Sequence, residues 1–296
     1  MFLLFNAEKM PEIVASNLQA YSWSFSHFFL WRKFGIQFDC GEGSAIRLDE
    51  HVFRTDLLAM SHSHSDHCRG ILTLLEMRSG LKGANDKPLT IVFPKDSKPM
   101  DQWIVPARDL AARRNLVNVR FFPIAAGDKM PLQNGRILEA IDVVHEKGEP
   151  CLAYRIGHQR KRLKKEYEHL DSKQIQALAS KLPRSELEEV RYECELVYSG
   201  DTERMEPNFY NEAQVLIHET SFLYPEDADK QKGIHTDLKS LLPSVRYGGV
   251  RNLILFHSSR RYELDTLKTE IQKIIEDSSL NCPVILIRGA YNLLTD

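Results

Sequence analysis

Residues 62–67 read His62-Ser63-His64-Ser65-Asp66-His67, placing three of the chain's eleven histidines and one carboxylate within six positions. Imidazole and carboxylate are the donors that Zn²⁺ and its neighbouring divalent ions take. The cluster follows Leu57-Leu58-Ala59-Met60, an apolar run that reads as a short buried strand. A strand ending in a tight loop can aim alternate side chains into one pocket. His62 and His64 are then expected to serve one ion, with Asp66 and His67 turned toward a second. A two-ion site needs further donors, and three stand at comparable places. His145 follows Ile141-Asp142-Val143-Val144, Asp201 follows Leu196-Val197-Tyr198-Ser199-Gly200, and His257 follows Leu253-Ile254-Leu255-Phe256. Each lies at the C-terminal edge of an apolar strand, where α/β folds gather their sites.

The elements that must hold these residues alternate along the chain. Strands are expected over 35–39, 90–93, 119–123, 152–156, 196–199, 215–218, 252–257 and 283–288, and helices over 68–78, 102–114, 238–245 and 264–277. In the last helix Leu264, Leu267, Ile271, Ile274 and Ile275 share one face. Such mixing predicts α/β layers in one domain over residues 1–296. One stretch departs from the pattern. Residues 159–190 run through a polar helical pattern, with Lys and Arg crowding the start and Glu186, Glu188 and Glu189 the end. It reads as an insert, either a solvated excursion or an arm whose basic end meets phosphates.

Composition sets limits. The 296 residues are 43% hydrophobic, enough for a sizeable core, and the net charge of −2 provides no overall basic field for nucleic acid. A polyanion would have to find a local patch. Five dispersed cysteines without a Cys-x-x-Cys suit reduced thiols in a cytoplasmic protein. The apolar start, Met1-Phe2-Leu3-Leu4-Phe5, breaks at Asn6 and lacks a basic leader, so a signal peptide is not expected. No run of about 18 apolar residues predicts a membrane span.

Taken in order, His62, His64, Asp66, His67, His145, Asp201 and His257 resemble the metallo-β-lactamase fold in its phosphodiesterase form, a four-layer αβ/βα sandwich. Further segments are similar to the tRNase Z (ribonuclease Z) family: Phe38-Asp39-Cys40-Gly41-Glu42-Gly43, Tyr198-Ser199-Gly200-Asp201-Thr202, His218-Glu219-Thr220-Ser221-Phe222, Gly233-Ile234-His235, and Leu255 through His257 to Arg260-Arg261-Tyr262. Leu163-Lys164-Lys165-Glu166-Tyr167 resembles the short plant-type members. The six-residue histidine cluster alone is superfamily-wide; Glu219, His235 and 257–262 narrow the resemblance. Two departures stand out. The long Gly- and Pro-containing arm of bacterial members is absent, and Ala20-Tyr21-Ser22-Trp23-Ser24-Phe25-Ser26 lacks the usual glycine-rich turn.

The resemblance implies two Zn²⁺ ions, with Mn²⁺ or Fe²⁺ as alternatives. His62, His64 and His145 would hold one, Asp66, His67 and His257 the other, and Asp201 would bridge. It implies removal of the 3′ trailer of precursor tRNA by hydroxide generated at the metal pair. Asp66 would orient the water, His235 would protonate the departing 3′ oxygen, and Glu219 would hold His235. Arg261 is a candidate contact for substrate phosphate, and Asp39 is expected beneath the metals, ordering the loop. The family also implies a homodimer. The competing readings are another hydrolase on this scaffold, acting on small phosphodiesters, thioesters or lactones, and a non-catalytic RNA-binding protein.

Overall fold

The computed structural model describes residues 2–80, 87–228 and 234–293. Gly233, part of one motif above, lies outside them. The strands are β1 (Phe2–Phe5), β2 (Leu18–Trp23), β3 (Ser26–Trp31), β4 (Ile36–Phe38), β5 (Leu57–Ala59), β6 (Leu89–Pro94), β7 (Val119–Ile124), β8 (Lys129–Pro131), β9 (Arg136–Val143), β10 (Cys151–Leu163), β11 (Glu188–Tyr198), β12 (Val215–Glu219), β13 (Leu253–Phe256), β14 (Val284–Ile287) and β15 (Gly289–Tyr291). They form two sheets, ordered β15-β2-β3-β4-β5-β6-β7 and β1-β14-β13-β12-β11-β10-β9-β8. Strands β4 to β7 run parallel in the first sheet, as do β11 to β14 in the second.

Among them β5, β13 and β14 are apolar along their whole length because both faces are covered. In β13, Leu253 and Leu255 face the helices Leu238–Tyr247 and Leu264–Ser278, while Ile254 and Phe256 face the other sheet. In the first sheet Ala59 points inward, while Leu58 and Met60 pack against Ile71–Gly80 and Asp101–Arg113. The layers are therefore helix, sheet, sheet, helix, the expected αβ/βα sandwich. Facing the sheets together sets the C-terminal ends of β4, β5, β11, β12 and β13 along one edge. Hydrogen bonds cross between them: the Tyr154 hydroxyl donates to the Met60 carbonyl at 2.7 Å, and the Leu152 N–H to the Ser61 carbonyl at 2.9 Å.

The ends of the chain change sides. β1 pairs antiparallel with β14, Phe2 opposite Ile287, so it joins the second-half sheet. β15 pairs with β2, Ala290 opposite Tyr21, and completes the first.

Two expectations need revision. The helix expected over 68–78 is divided into Ser65–Cys68 and Ile71–Gly80. The break falls at Gly70, whose missing Cβ would run into the Gly41 carbonyl; Gly41 in turn abuts the carbonyl of Asp66. This glycine-to-glycine approach seats the Asp66–His67 turn against the end of β4. The polar stretch 159–190 is not mainly helical either. β10 and β11 continue through it as a hairpin, Gln159 opposite Tyr192 and Leu163 opposite Glu188. Only Ser172–Ala179 and Arg184–Leu187 are α-helical there. The first of these helices is capped by a reciprocal pair, the Asp171 carboxylate on the Gln174 N–H and the Gln174 side chain on the Asp171 N–H.

Arg78 is buried at 1% exposure, and its guanidinium donates to the carbonyls of Val52, Thr55, Lys87 and Pro88 at 2.8–3.2 Å. It ties two segments, residues 52–55 and 87–88, to the helix Ile71–Gly80. Arg78→Leu should therefore lower unfolding free energy by at least about 2 kcal/mol, read by denaturant titration.

Candidate metal centre

All seven residues singled out as ligands lie at the shared sheet edge. His62, His64, Asp66 and His67 follow β5, His145 follows β9, Asp201 follows β11 and His257 follows β13. Two groups form around Asp201. In one, the donor atoms of His62, His64 and His145 lie within 4.8 Å of one another, with His145 Nε2 3.2 Å from His64 Nδ1. In the other, His67 Nε2 and His257 Nε2 lie 3.4 and 3.2 Å from Asp201 Oδ2, and 3.6 and 3.7 Å from Asp66 Oδ2. Most of these separations exceed a good N–H···O bond, about 2.7–3.2 Å. They match the edge of a tetrahedron of donors about 2.0–2.2 Å from a central ion, roughly 3.3–3.6 Å.

The donors are presented for that purpose. His62 Nδ1 meets the Ser61 hydroxyl at 2.9 Å, His67 Nδ1 meets Asp39 at 2.6 Å, and His145 Nδ1 donates to the Ile234 carbonyl at 2.7 Å. His64 turns its Nε2 outward to Glu146 at 2.7 Å, leaving Nδ1 facing the group. The inward atoms His62 Nε2, His67 Nε2 and Asp201 Oδ1 are buried without a hydrogen-bond partner. Three orphaned polar atoms converging on one spot are costly unless a cation satisfies them. The residues thus fit a divalent metal centre.

Asp39 anchors the arrangement from below. Fully buried, it accepts from the Ser61 N–H (2.7 Å), the Ser61 hydroxyl (2.8 Å), the Tyr198 hydroxyl (2.5 Å) and His67 Nδ1. Its φ of +54° and that of His257, +61°, are uncommon for residues with a Cβ and place strain at the site.

The charges divide in the metal-free protein. Burial opposes charge on every group here. At His67 and His257 the charges of Asp201 and Asp66 outweigh it and raise both imidazoles above their ordinary value. Burial prevails at His62 and His145, which are pushed down. Asp66 and Asp201 stay below the usual carboxylate range despite burial, His67 acting most on the first and His257 most on the second. Protons on two imidazoles thus supply the positive charge the two acids require, and a cation would displace them.

Glu219, at the end of β12, is fully buried. Oε1 accepts from His235 Nδ1 (2.8 Å), the Thr202 N–H (3.1 Å) and the Thr236 N–H (3.2 Å), and Oε2 from the N–H (2.9 Å) and hydroxyl (3.0 Å) of Ser221. The Ser221 hydroxyl also meets His257 Nδ1 at 2.8 Å. Burial lowers His235, but the charge and hydrogen bond of Glu219 override it and lift the imidazole to about 9. His235 opens on a cavity of about 180 Å³ together with Ser24, His27, Phe222, His257 and Arg260. Arg261 is engaged elsewhere: its guanidinium donates to the Asp227 carbonyl at 2.7 Å and lies over Phe222. Cys68 faces away from the imidazoles, its thiol donating to the His62 carbonyl at 3.0 Å.

One residue at the centre escaped the sequence reading. His27 is buried at the start of β3, its ring 4.9 Å from that of His67 and 4.5 Å from that of His257. The signal was a histidine heading the apolar run Phe28-Phe29-Leu30-Trp31, one residue past the segment that lacks its glycines. The hairpin arm brings a second finding. Part of its basic start is met by acids: Arg160 and Arg162 share Glu193, while Arg191, on the returning strand, meets Glu168 (2.6 Å) and Glu189 (2.5 Å).

Residues 36–164 match the family model described as "Beta-lactamase superfamily domain". The chain is 26% identical over 253 residues to a chloroplastic tRNase Z of Arabidopsis thaliana, covering 83% of this chain and 68% of that one. It is 28% identical over 275 residues to ribonuclease Z of Thermococcus kodakarensis, covering 84% and 82%. A metallo-β-lactamase fold protein of Bacillus subtilis superposes with a TM-score of 0.60 at 16% identity, over 93% of this chain and 98% of that one. Among the described residues no helix is long and apolar enough to cross a membrane.

The Glu219–His235 contact has a measurable signature in the metal-free protein. Because the folded-state value is raised, the pair adds stability that is complete below about pH 6.5 and disappears as pH climbs through about 9. NMR titration of metal-free protein should find His235 protonated well above its ordinary value, and Glu219→Gln should lower its midpoint by about 1–3 pH units.

Proposed function

From a chain that carries the metallo-β-lactamase fold and is similar to ribonuclease Z over most of its length, we propose a metal-dependent phosphodiesterase that removes the 3′ trailer of precursor tRNA. The observation that carries this reading is the convergence of seven donors beside a Glu219-held imidazole that opens on the cavity. His62, His64 and His145 would hold one Zn²⁺, and Asp66, His67 and His257 the other, with Asp201 between them; Mn²⁺ or Fe²⁺ suits the same donors. When bound, the two cations lower the pKa of water toward neutrality and stabilise negative charge on the phosphoryl oxygens.

The chain's own residues do the rest. Asp66 is the centre's solvent-reachable carboxylate, its side chain 20% exposed against 2% for Asp201 and none for Asp39, so it can orient the attacking water and accept its proton. His235 has Nδ1 committed to Glu219 and presents its other nitrogen as the acid for the departing 3′ oxygen. Arg260, on the cavity wall, is placed for the substrate phosphate, while Arg261 braces the loop behind it. A homodimer in a reducing cytoplasm accompanies this reading; all five cysteines are free and buried.

The second reading, a phosphodiesterase for small substrates, gains from the arm, where Arg160, Arg162 and Arg191 are each paired with an acid of the same hairpin arm. A single comparison separates the two. Metal-quantified protein is offered precursor tRNA with a 3′ trailer and, in parallel, bis(p-nitrophenyl) phosphate. Cleavage of the tRNA on the 3′ side of its discriminator base is expected; hydrolysis of the small ester alone would favour the second reading. Asp201→Ala should lose metal and activity together. His235→Ala should keep its metals and lose about 10²–10⁴-fold in rate, and full activity in that metal-loaded variant would remove the acid assignment.

A further inference from the structure

Resting on the two-cation reading above, we propose that His27 is an additional ligand of the second cation, joining Asp66, His67 and His257. The second position would then offer one donor more than the first. The donor atoms of these four residues lie within 4.8 Å of one another. His27 Nε2 is 3.5 Å from Asp66 Oδ2, beside the 3.6 and 3.7 Å of His67 Nε2 and His257 Nε2 from that same oxygen. Three imidazole nitrogens ring one carboxylate oxygen at nearly equal distance. All three are beyond good hydrogen-bond length and close to the separation of donors sharing an ion.

The ring is aimed, as ligands are. His27 Nδ1 meets the Ser22 hydroxyl at 2.9 Å, and that hydroxyl also accepts the backbone N–H of His257 at 3.0 Å. One side chain on β2 therefore sets both the His27 ring and the main chain of a neighbouring ligand. The His27 carbonyl accepts the Gly41 N–H at 3.1 Å, tying it to the turn that also seats Asp66. A core filler here would need no nitrogen, since the strand goes on with Phe28, Phe29, Leu30 and Trp31. A hydrogen-bonding partner of Asp66 would sit closer than 3.5 Å. An imidazole held by a hydroxyl on one nitrogen, with the other facing a carboxylate and two imidazoles, has the form of an oriented ligand.

The test uses the full chain stripped of metal and titrated with Zn²⁺ and Co²⁺, alongside His27→Phe, which keeps the ring packing, and His27→Gln, which keeps polarity. Circular dichroism checks the fold, and a variant that does not fold yields to the other. The wild type should bind two ions per chain. The variants should retain the first and bind the second about 10–100-fold more weakly. The visible spectrum of the second Co²⁺ should change in position and rise in intensity as its coordination number falls. Two ions in the wild type, with an unchanged second Co²⁺ spectrum in a folded variant, would overturn the role of His27 and leave the two-cation reading standing. Fewer than two ions in the wild type would overturn the reading beneath it.

Discussion

A single buried carboxylate, Asp39, holds the two halves of this molecule in register at the point where register matters. It takes hydrogen bonds from the loop that carries the histidine cluster, through Ser61 and His67, and from the opposite sheet, through Tyr198. Buried acids are tolerated when donors surround them, and once surrounded they fix those donors in turn. The orientation of His67 is thus decided by the packing of one sheet on another. Tyr154, reaching the Met60 carbonyl, extends the same constraint one step along the strand. Donors from four segments can then meet within a few ångströms, although no local sequence feature links His62 to Asp201 or His257.

The charge pattern follows from that closeness. Asp66 and Asp201 stand among imidazoles, Asp201 almost wholly buried and Asp66 partly so, and two acids this close need positive charge nearby. Without metal, His67 and His257 provide it by keeping protons. A cation seated among these donors would displace those protons.

How much of this could be read from residues alone depended on the kind of pattern. Leu253–Phe256 and Val284–Ile287 are unbroken apolar runs because helices cover one face and a sheet the other, and they were legible. The strand-end donors followed from the same runs. β2 was not anticipated, since Leu18-Gln19-Ala20-Tyr21-Ser22-Trp23 mixes polar and aromatic residues without clear alternation. Residues 159–163 and 188–190 carry the Lys, Arg and Glu of a helix former, yet they pair as strands because β10 and β11 arrive there already paired. His27 was invisible for another reason. A lone histidine acquires meaning from neighbours supplied by 66–67 and 257, and their proximity is a property of the folded sheets.

The exchange of terminal strands bears on how the chain is made. Residues 289–291 close the border of a sheet otherwise built from residues 18–124, and residues 284–287 must be present before Phe2–Phe5 has a partner. Until residues 289–291 pair with it, β2 is covered by β3 on one side and leaves its other edge open. Pairings this distant in sequence are slow to form. Neither sheet can be completed until residues 284–291 have been made, and each keeps an unpaired strand edge until then.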